Sequence, residues 1–309
     1  GMLLDLGEVH RFPVRVLNKV TDAFVTHAHT DHFAGFIDLL RSRVHNGSTC
    51  RVFGPRRISD RVESMVDAFT WDRLADGEGP EFVVGELDGE RIDRWRIRAG
   101  QPRRRRLESQ PAPDGHLVDA PRFTIRACEV DHGTPVLAFT IEESENYAVR
   151  SDRLAPPLSP GPWLGELKSH YARRELDVEL ELPDGERRSV GQLADEFLIV
   201  GPGEKLTYAT DFGDTPANRR KVIELADGSD VFICEAYYAR ADADRAEEFG
   251  HLTTTACAEI ARDAEVDRLI PFHFSTRYED EPERLYREIR EVYPTVDVPE
   301  PIVDRLDEP

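Results

Sequence analysis

Lysine is scarce in this 309-residue chain: of 40 lysines and arginines, only Lys19, Lys168, Lys205 and Lys221 are lysine, against 60 aspartates and glutamates. The net charge of −20 excludes a protein whose whole surface attracts nucleic acid, because phosphate binding is driven by basic side chains that release counterions. Any polyanion must therefore meet a local basic patch. The acidic residues are spread along the chain rather than gathered in a tail, as in a chain from a salt-adapted or high-GC source. Cysteine is also sparse. Cys50, Cys128, Cys234 and Cys257 lie far apart with no C-x-x-C pair, which argues against a disulfide framework and a cysteine-rich zinc knuckle and points to reduced core residues. No run approaches the ~18 to 20 apolar residues of a membrane span, and the N-terminus lacks the residue order of a signal peptide. The expectation is a cytoplasmic chain with no membrane partner, long enough to bury a sizeable core.

What is present is a succession of short apolar runs and helical spacings, without an internal repeat. Residues 2–6, 12–17 and 22–26 read as strands. Residues 31–43 carry Phe33, Phe36, Ile37, Leu39 and Leu40 at helical spacing behind an acidic first residue, and one more strand and helix follow within the first 60 or so positions. Residues 82–86, 92–97, 123–129 and 136–141 read as strands, whereas 100–121, with Arg103 to Arg106 and then Pro111, Pro113 and Gly115, reads as an exposed loop. Residues 150–196, with Pro156, Pro157, Pro160 and Pro162, read as an irregular excursion. Strands at 197–200, 206–210, 230–234 and 268–271 alternate with helices at 217–226 and 253–264, and 283–292 is a last helix. The pattern predicts an α/β fold of two packed sheets flanked by helices, one domain over residues 1–309 with an arm-like excursion at about 150–196.

Chemistry concentrates where the strand at 22–26 gives way to a helix. His27 and His29 alternate on extended backbone and point the same way, while Asp31 and His32 come from the turn that follows. One short segment can thus offer ligands to two adjacent metal ions. Imidazole and carboxylate together suit zinc, with manganese or iron as substitutes, and no thiolate lies in this run to select a softer ion. Further ligands stand at the ends of other expected strands: His132 in Glu129-Val-Asp-His-Gly-Thr-Pro135, Asp211 in Tyr208-Ala-Thr-Asp211, and His273 in Ile270-Pro-Phe-His-Phe-Ser275. Each has a plain structural reading, as turn residue, helix cap and core histidine respectively. Asp214 competes with Asp211, which is preferred because it directly ends its strand.

The segments Thr26-His-Ala-His-Thr-Asp-His-Phe-Ala-Gly35, Phe53-Gly-Pro55, Asp131-His-Gly-Thr-Pro135, Pro160-Gly-Pro-Trp-Leu-Gly-Glu-Leu-Lys168, Gly250-His-Leu-Thr-Thr254 and His273-Phe-Ser-Thr-Arg-Tyr278 occur in this order. In that order they resemble ribonuclease Z, the tRNA 3′-processing endonuclease branch of the metallo-β-lactamase superfamily, over nearly the whole chain. The resemblance implies the αββα sandwich of two mixed sheets and two zinc ions: His27, His29 and His132 hold one, Asp31, His32 and His273 the other, and Asp211 bridges. It implies a homodimer acting on precursor tRNA, in which metal-activated water attacks the phosphodiester, Asp31 orients that water, and His251, paired with Glu235, helps protonate the departing 3′ oxygen. Gly161 and Pro162, within the excursion, match the flexible arm that grips the tRNA elbow, and Ser275, Thr276 and Arg277 match substrate contacts. Arg103 to Arg106 are a candidate phosphate contact.

Three positions depart from the family pattern. The chain opens at Leu3-Leu-Asp-Leu-Gly7 without the opening glycine-rich strand, Thr210 stands for a glycine, and Cys234 for the histidine of His-Glu-Ala-Thr. They bear on substrate gripping and leaving-group protonation. The alternatives are therefore a diverged phosphodiesterase acting on another nucleic acid or a small cyclic phosphate, and, in a different class, a non-catalytic RNA-binding scaffold.

Overall fold

The computed structural model describes residues 1–306 apart from 45–47, 75–77, 102, 155 and 157. It divides into two compact units, one of Gly1–Leu117, Arg126–Thr140 and Leu206–Pro309, the other of Val118–Ile125 and Ile141–Lys205. No helix among the described residues is long and apolar enough to cross a membrane.

Six strands in chain order form the first sheet: β1 (Met2–Leu4), β2 (Asp22–Phe24), β3 (Cys50–Pro55), β4 (Glu81–Asp88), β5 (Arg91–Arg98) and β6 (Arg105–Pro111). Strands β1 to β4 pair in parallel, and β5 and β6 add antiparallel to the edge. All three residues of β2 are buried, as befits a parallel strand covered on both faces. Leu39 and Leu40 of the helix Phe36–Arg43, with Ile58, Val62 and Val66 of the helix Ile58–Asp67, close a core over Val52, Phe82 and Val84. Fully burying each such side chain contributes about 1.5–3 kcal/mol.

Ten strands follow: β7 (His116–Ala120), β8 (Phe123–Asp131), β9 (Pro135–Glu143), β10 (Glu145–Val149), β11 (Glu179–Glu181), β12 (Arg187–Ser189), β13 (Leu198–Pro202), β14 (Lys205–Ala209), β15 (Val231–Glu235) and β16 (Leu269–Phe272). The second sheet has the order β16-β15-β14-β9-β8-β7, with β14, β15 and β16 parallel. The helices Pro216–Ala226 and Thr254–Asp263 bury Val222, Leu225, Cys257 and Ile260 in a second core with Phe232 and Leu269. The architecture is the expected α/β arrangement of two mixed sheets with helices.

Four sequence expectations are corrected. Residues 12–17 form no strand: the chain makes a 3-10 turn at Val9–Arg11 and a helix at Val14–Leu17, because Pro13 sets a helix start and only Leu17 is buried. The single helix at 31–43 is two, Thr30–Phe33 and Phe36–Arg43. Gly35 separates them, since a Cβ there would meet the Gly7 and Leu6 carbonyl oxygens at 2.5 and 2.6 Å. The loop at 100–121 contains β6 and β7. Arginines are accommodated there because Arg104, just before β6, and Arg106 within it lie over the Trp95 ring, 4.6 and 5.5 Å from its centroid, and pair with Glu63 and Asp93. Arg104 and Arg106 are thus engaged within the protein rather than held for phosphate.

Residues 150–196 are not irregular either. They hold the helices Pro162–Ala172 and Val190–Phe197 and the β11–β12 hairpin, around Trp163, Leu167, Leu180, Leu193 and Phe197. The prolines misled because Pro162 occupies the first helical turn, where a missing N–H costs nothing. Pro157 lies outside the described residues. A short helix at Ala243–Phe249, polar on most of its surface, has no apolar period to reveal it.

Candidate metal centre and its acid–base neighbours

The chain leaves β2 extended, so His27 and His29 project together with ring centroids 4.3 Å apart, and the first turn of the next helix supplies Asp31 and His32. His132 follows β8, Asp211 follows β14 and His273 follows β16, all at strand ends, where α/β sheets place ligands. Asp211 and His273 have left-handed backbones, φ 54° and 57°, as does Asp5 after β1 at φ 57°. Such conformations cost on the order of 1–3 kcal/mol each and persist only where the surroundings impose them. Here the ends of β1, β14 and β16 turn these side chains into one cluster.

Three groups of potential ligands emerge, His27, His29, His132 and Asp211, then Asp31, His32, Asp211 and His273, and beside them Asp211, Glu235, His251 and His273, with the donor atoms of each group within 4.8 Å of one another. Asp211 belongs to all three. Its Oδ2 lies 3.1 Å from His27 Nε2 and 3.0 Å from His32 Nε2, and its Oδ1 lies 3.0 Å from His273 Nδ1. Asp31, largely exposed, places Oδ2 3.3 Å from both His32 Nε2 and His273 Nε2.

Tautomers are set from behind. His132 Nδ1 donates to the Gly250 carbonyl at 2.7 Å, an acceptor only, so its Nε2 carries the lone pair. His32 Nδ1 donates to Asp5 Oδ2 at 2.7 Å, and His27 Nδ1 faces the Thr26 hydroxyl at 3.0 Å. Asp5 also accepts from the Thr26 N–H at 2.7 Å, the Thr26 hydroxyl and the Tyr208 hydroxyl. These outer contacts aim Nε2 of His27, His32 and His132 inward, the arrangement that orients imidazole ligands on a metal.

Three inward nitrogens, His27 Nε2, His32 Nε2 and His273 Nδ1, are buried without an aligned hydrogen bond. They are close enough to Asp211 to count as ion pairs but misdirected for hydrogen bonding; alignment is the stricter criterion, and it leaves them unsatisfied. Divalent cations would satisfy all three, so the donor set fits the metals it was expected to hold. Charge tells the same story. Burial opposes the His32 imidazolium, yet the carboxylates of Asp211 and Asp5 raise its pKa to about 10, and burial opposes the Asp211 carboxylate, yet His27, His273 and His32 hold its pKa well below the usual range. A metal must displace the His32 proton to use that nitrogen.

Beside this cluster, Glu235 is fully buried at the end of β15. Its Oε1 accepts the Phe212 N–H at 2.7 Å and its Oε2 accepts from His251 Nδ1 at 2.8 Å. Tyr237 stacks on the His251 ring at 4.1 Å and 9°. Glu235 is thereby committed to orienting His251, whose Nε2 stays available. Asp214 is turned away to Arg219, 3.0 Å from its Nη2. Ser275, Thr276 and Arg277 form the turn after His273, with Thr276 and Arg277 exposed. Gly161 and Pro162 open the helix Pro162–Ala172 in the second unit.

Sequence reasoning missed Asp5, Thr26, Tyr237 and the Gly250 carbonyl. Only Asp5 left a signal, a lone carboxylate between Leu4 and Leu6. Asp5→Ala is expected to weaken metal binding about 10–100-fold, measured by chelator competition, because His32 loses the group that sets its tautomer. Unchanged affinity would reduce Asp5 to a fold contact.

The two internal departures from the family pattern acquire physical readings. Strand alternation points Glu235 to the site and Cys234 to the core, where it is fully buried beside Cys257. Position 234 therefore has no bearing on leaving-group protonation. Cys234→His should cost about 2–4 kcal/mol in urea melts without raising turnover; a stable, faster variant would place position 234 in the site. The Thr210 hydroxyl donates to Asp211 Oδ1 at 3.1 Å.

Comparison with known proteins bears on the fold and the family. A family model described as a beta-lactamase superfamily domain matches residues 183–274. Ribonuclease Z of Geobacillus kaustophilus is 30% identical over 96% of this chain and 85% of its own length. Ribonuclease BN of Cronobacter sakazakii is 31% identical over 91% and 80% respectively. Among solved structures, the metallo-β-lactamase fold protein YhfI from Bacillus subtilis superposes with TM-score 0.53 at 14% identity, covering 96% of this chain and 83% of that one. The short form of human tRNase Z superposes with TM-score 0.51 at 18% identity, covering 89% and 82%. The chain has the metallo-β-lactamase fold and belongs to the ribonuclease Z family.

Proposed function

We propose that this protein is a two-zinc phosphodiesterase, an endoribonuclease that removes the 3′ trailer from precursor tRNA, with manganese or iron as possible substitutes for zinc. The observation that carries the reading is Asp211, shared by two ligand sets and faced by three buried imidazole nitrogens that lack hydrogen bonds. Relatives named ribonuclease Z at up to 30% identity over most of the chain supply the substrate class. Homodimeric assembly and a cytoplasmic location belong to the same reading and rest on the family resemblance alone.

When bound, the ions supply Lewis acidity at the phosphoryl oxygens and lower the pKa of water to ~7. His27, His29 and His132 would hold one ion and Asp31, His32 and His273 the other, with Asp211 available to both. Asp31, at the exposed edge, accepts a hydrogen bond from the attacking water and orients it. Glu235 holds His251 through Nδ1, and His251 Nε2 delivers a proton to the departing 3′ oxygen, a role suited to an oriented imidazole. Tyr237 keeps the ring in plane. Ser275, Thr276 and Arg277 contact the RNA beside the site, and Gly161 and Pro162 contact it as well.

The purified chain reconstituted with zinc should bind about two ions per protomer, as measured by elemental analysis, and should cut a 3′-extended precursor tRNA at the end of the acceptor stem. An intact precursor alongside hydrolysis of bis(p-nitrophenyl) phosphate would remove the tRNA reading and leave a phosphodiesterase of other substrate. Less than one ion per protomer would favour the scaffold.

A further inference from the structure

Beside His27 the first unit holds a cavity of about 390 Å³, lined in part by Thr134 and by three arginines, Arg56, Arg57 and Arg61. In a chain of net charge −20, this is a local reversal of sign next to the candidate metal centre. The arginines are exposed, and their commitments within the protein are weak. Arg56 lies 3.7 Å from Asp88, and Arg57 Nε donates to Asp60 at 3.1 Å, both pairs being open to solvent. Arg61 makes no ion pair or hydrogen bond among the described residues. They thus differ from Arg104 and Arg106, which are held against Trp95 and acidic partners.

Arg57 adds a second, independent observation. It starts the helix Ile58–Asp67 in the left-handed region, φ 71° and ψ 8°, and its side chain caps nothing. Glycine adopts that conformation freely, whereas arginine does so under strain. Its side chain caps no helix N–H and makes only the solvent-open pair with Asp60, which leaves guanidinium donors for a partner outside the fold.

We propose that Arg56, Arg57 and Arg61 form a subsite for backbone phosphates of the RNA next to the scissile bond. The inference rests on the phosphodiesterase reading and deepens it. Guanidinium groups grip phosphate oxygens through paired N–H donors, and their spacing along a turn and the first helical turn lets them follow one strand. The cavity is continuous with His27, so a strand held here presents its next phosphate to the metal ligands. This is the local basic patch that an acidic RNA-processing chain requires.

The test titrates zinc-loaded enzyme against precursor tRNA in single turnovers between about 50 and about 200 mM salt. Arg56→Gln/Arg57→Gln/Arg61→Gln should raise the half-saturating concentration about tenfold or more and reduce the log–log salt slope by about 2, and Arg61→Gln alone by about 1. The charge-matched Arg290→Gln, on the helix Pro282–Arg290, should leave both unchanged. Fluorescence anisotropy with a single-stranded RNA oligonucleotide supplies a readout independent of turnover and should show the same losses. Arg57→Gly should weaken RNA binding while Tm holds or rises by about 2 °C, since the strain is relieved. An unaltered slope and half-saturation in the triple variant, or an equal loss in Arg290→Gln, overturns the subsite; a fall in Tm with binding retained overturns the role of Arg57. If the unaltered enzyme leaves precursor tRNA intact, the tRNA reading fails, and the anisotropy series decides the subsite by the same criteria.

Discussion

Asp211→Ala is expected to abolish phosphodiester hydrolysis, by about four orders of magnitude or more, and to strip both ions from the protein. Lewis-acid stabilisation is worth several kcal/mol, and each ~1.4 kcal/mol is tenfold in rate. Asp211 is the one residue common to all three donor groups. Without it, His27, His32 and His273 lose the one carboxylate that all three face, the exposed Asp31 reaching only His32 and His273, and each further positive charge repels the rest. Elemental analysis after dialysis reads the metal content, and bis(p-nitrophenyl) phosphate reads the chemistry. Two ions retained with activity intact would show that Asp211 is a structural partner of the histidines. Asp214→Ala is the control, because its carboxylate is engaged by Arg219 on the exposed side of the strand exit.

His251→Ala should behave differently, lowering kcat on precursor tRNA about 10²–10⁴-fold with zinc content unchanged. Hydrolysis of bis(p-nitrophenyl) phosphate should fall far less, since nitrophenolate leaves without protonation whereas a ribose 3′ oxygen does not. That contrast separates a proton donor from a residue that merely shapes the pocket, which would slow both substrates alike. Loss of zinc would instead make His251 a ligand, an outcome that its donor-atom proximity to Asp211, Glu235 and His273 makes worth measuring. Geometry argues against that outcome: His251 Nδ1 is spent on Glu235 and its ring is clamped by Tyr237.

Much of the architecture was legible because it is written in local periods. The strands at 82–86 and 92–97 and the helix at 253–264 have apolar spacings that match the faces they bury, and each occurs within a residue or two of its expected place. The misreadings share one cause. Arg104 and Arg106 at β6, the prolines near 160 and the segment at 12–17 were judged by residue type, whereas Trp95, Trp163 and Pro13 decided what those residues do.

For the site itself, residue identity and order along the chain were enough to name His27, His29, Asp31, His32, His132, Asp211 and His273 as one group. Metal chemistry restricts the donors to a few side-chain types, and a strand-to-helix turn presents four of them within six residues. Identity could not say which nitrogen of each imidazole faces inward, that Asp5 and Gly250 set that choice, that Cys234 turns its back on the site, or that Arg57 is held in a strained turn at the edge of a cavity. Those are properties of atoms brought together from distant positions, and hydrogen-bond direction and backbone strain exist only once the sheets have closed.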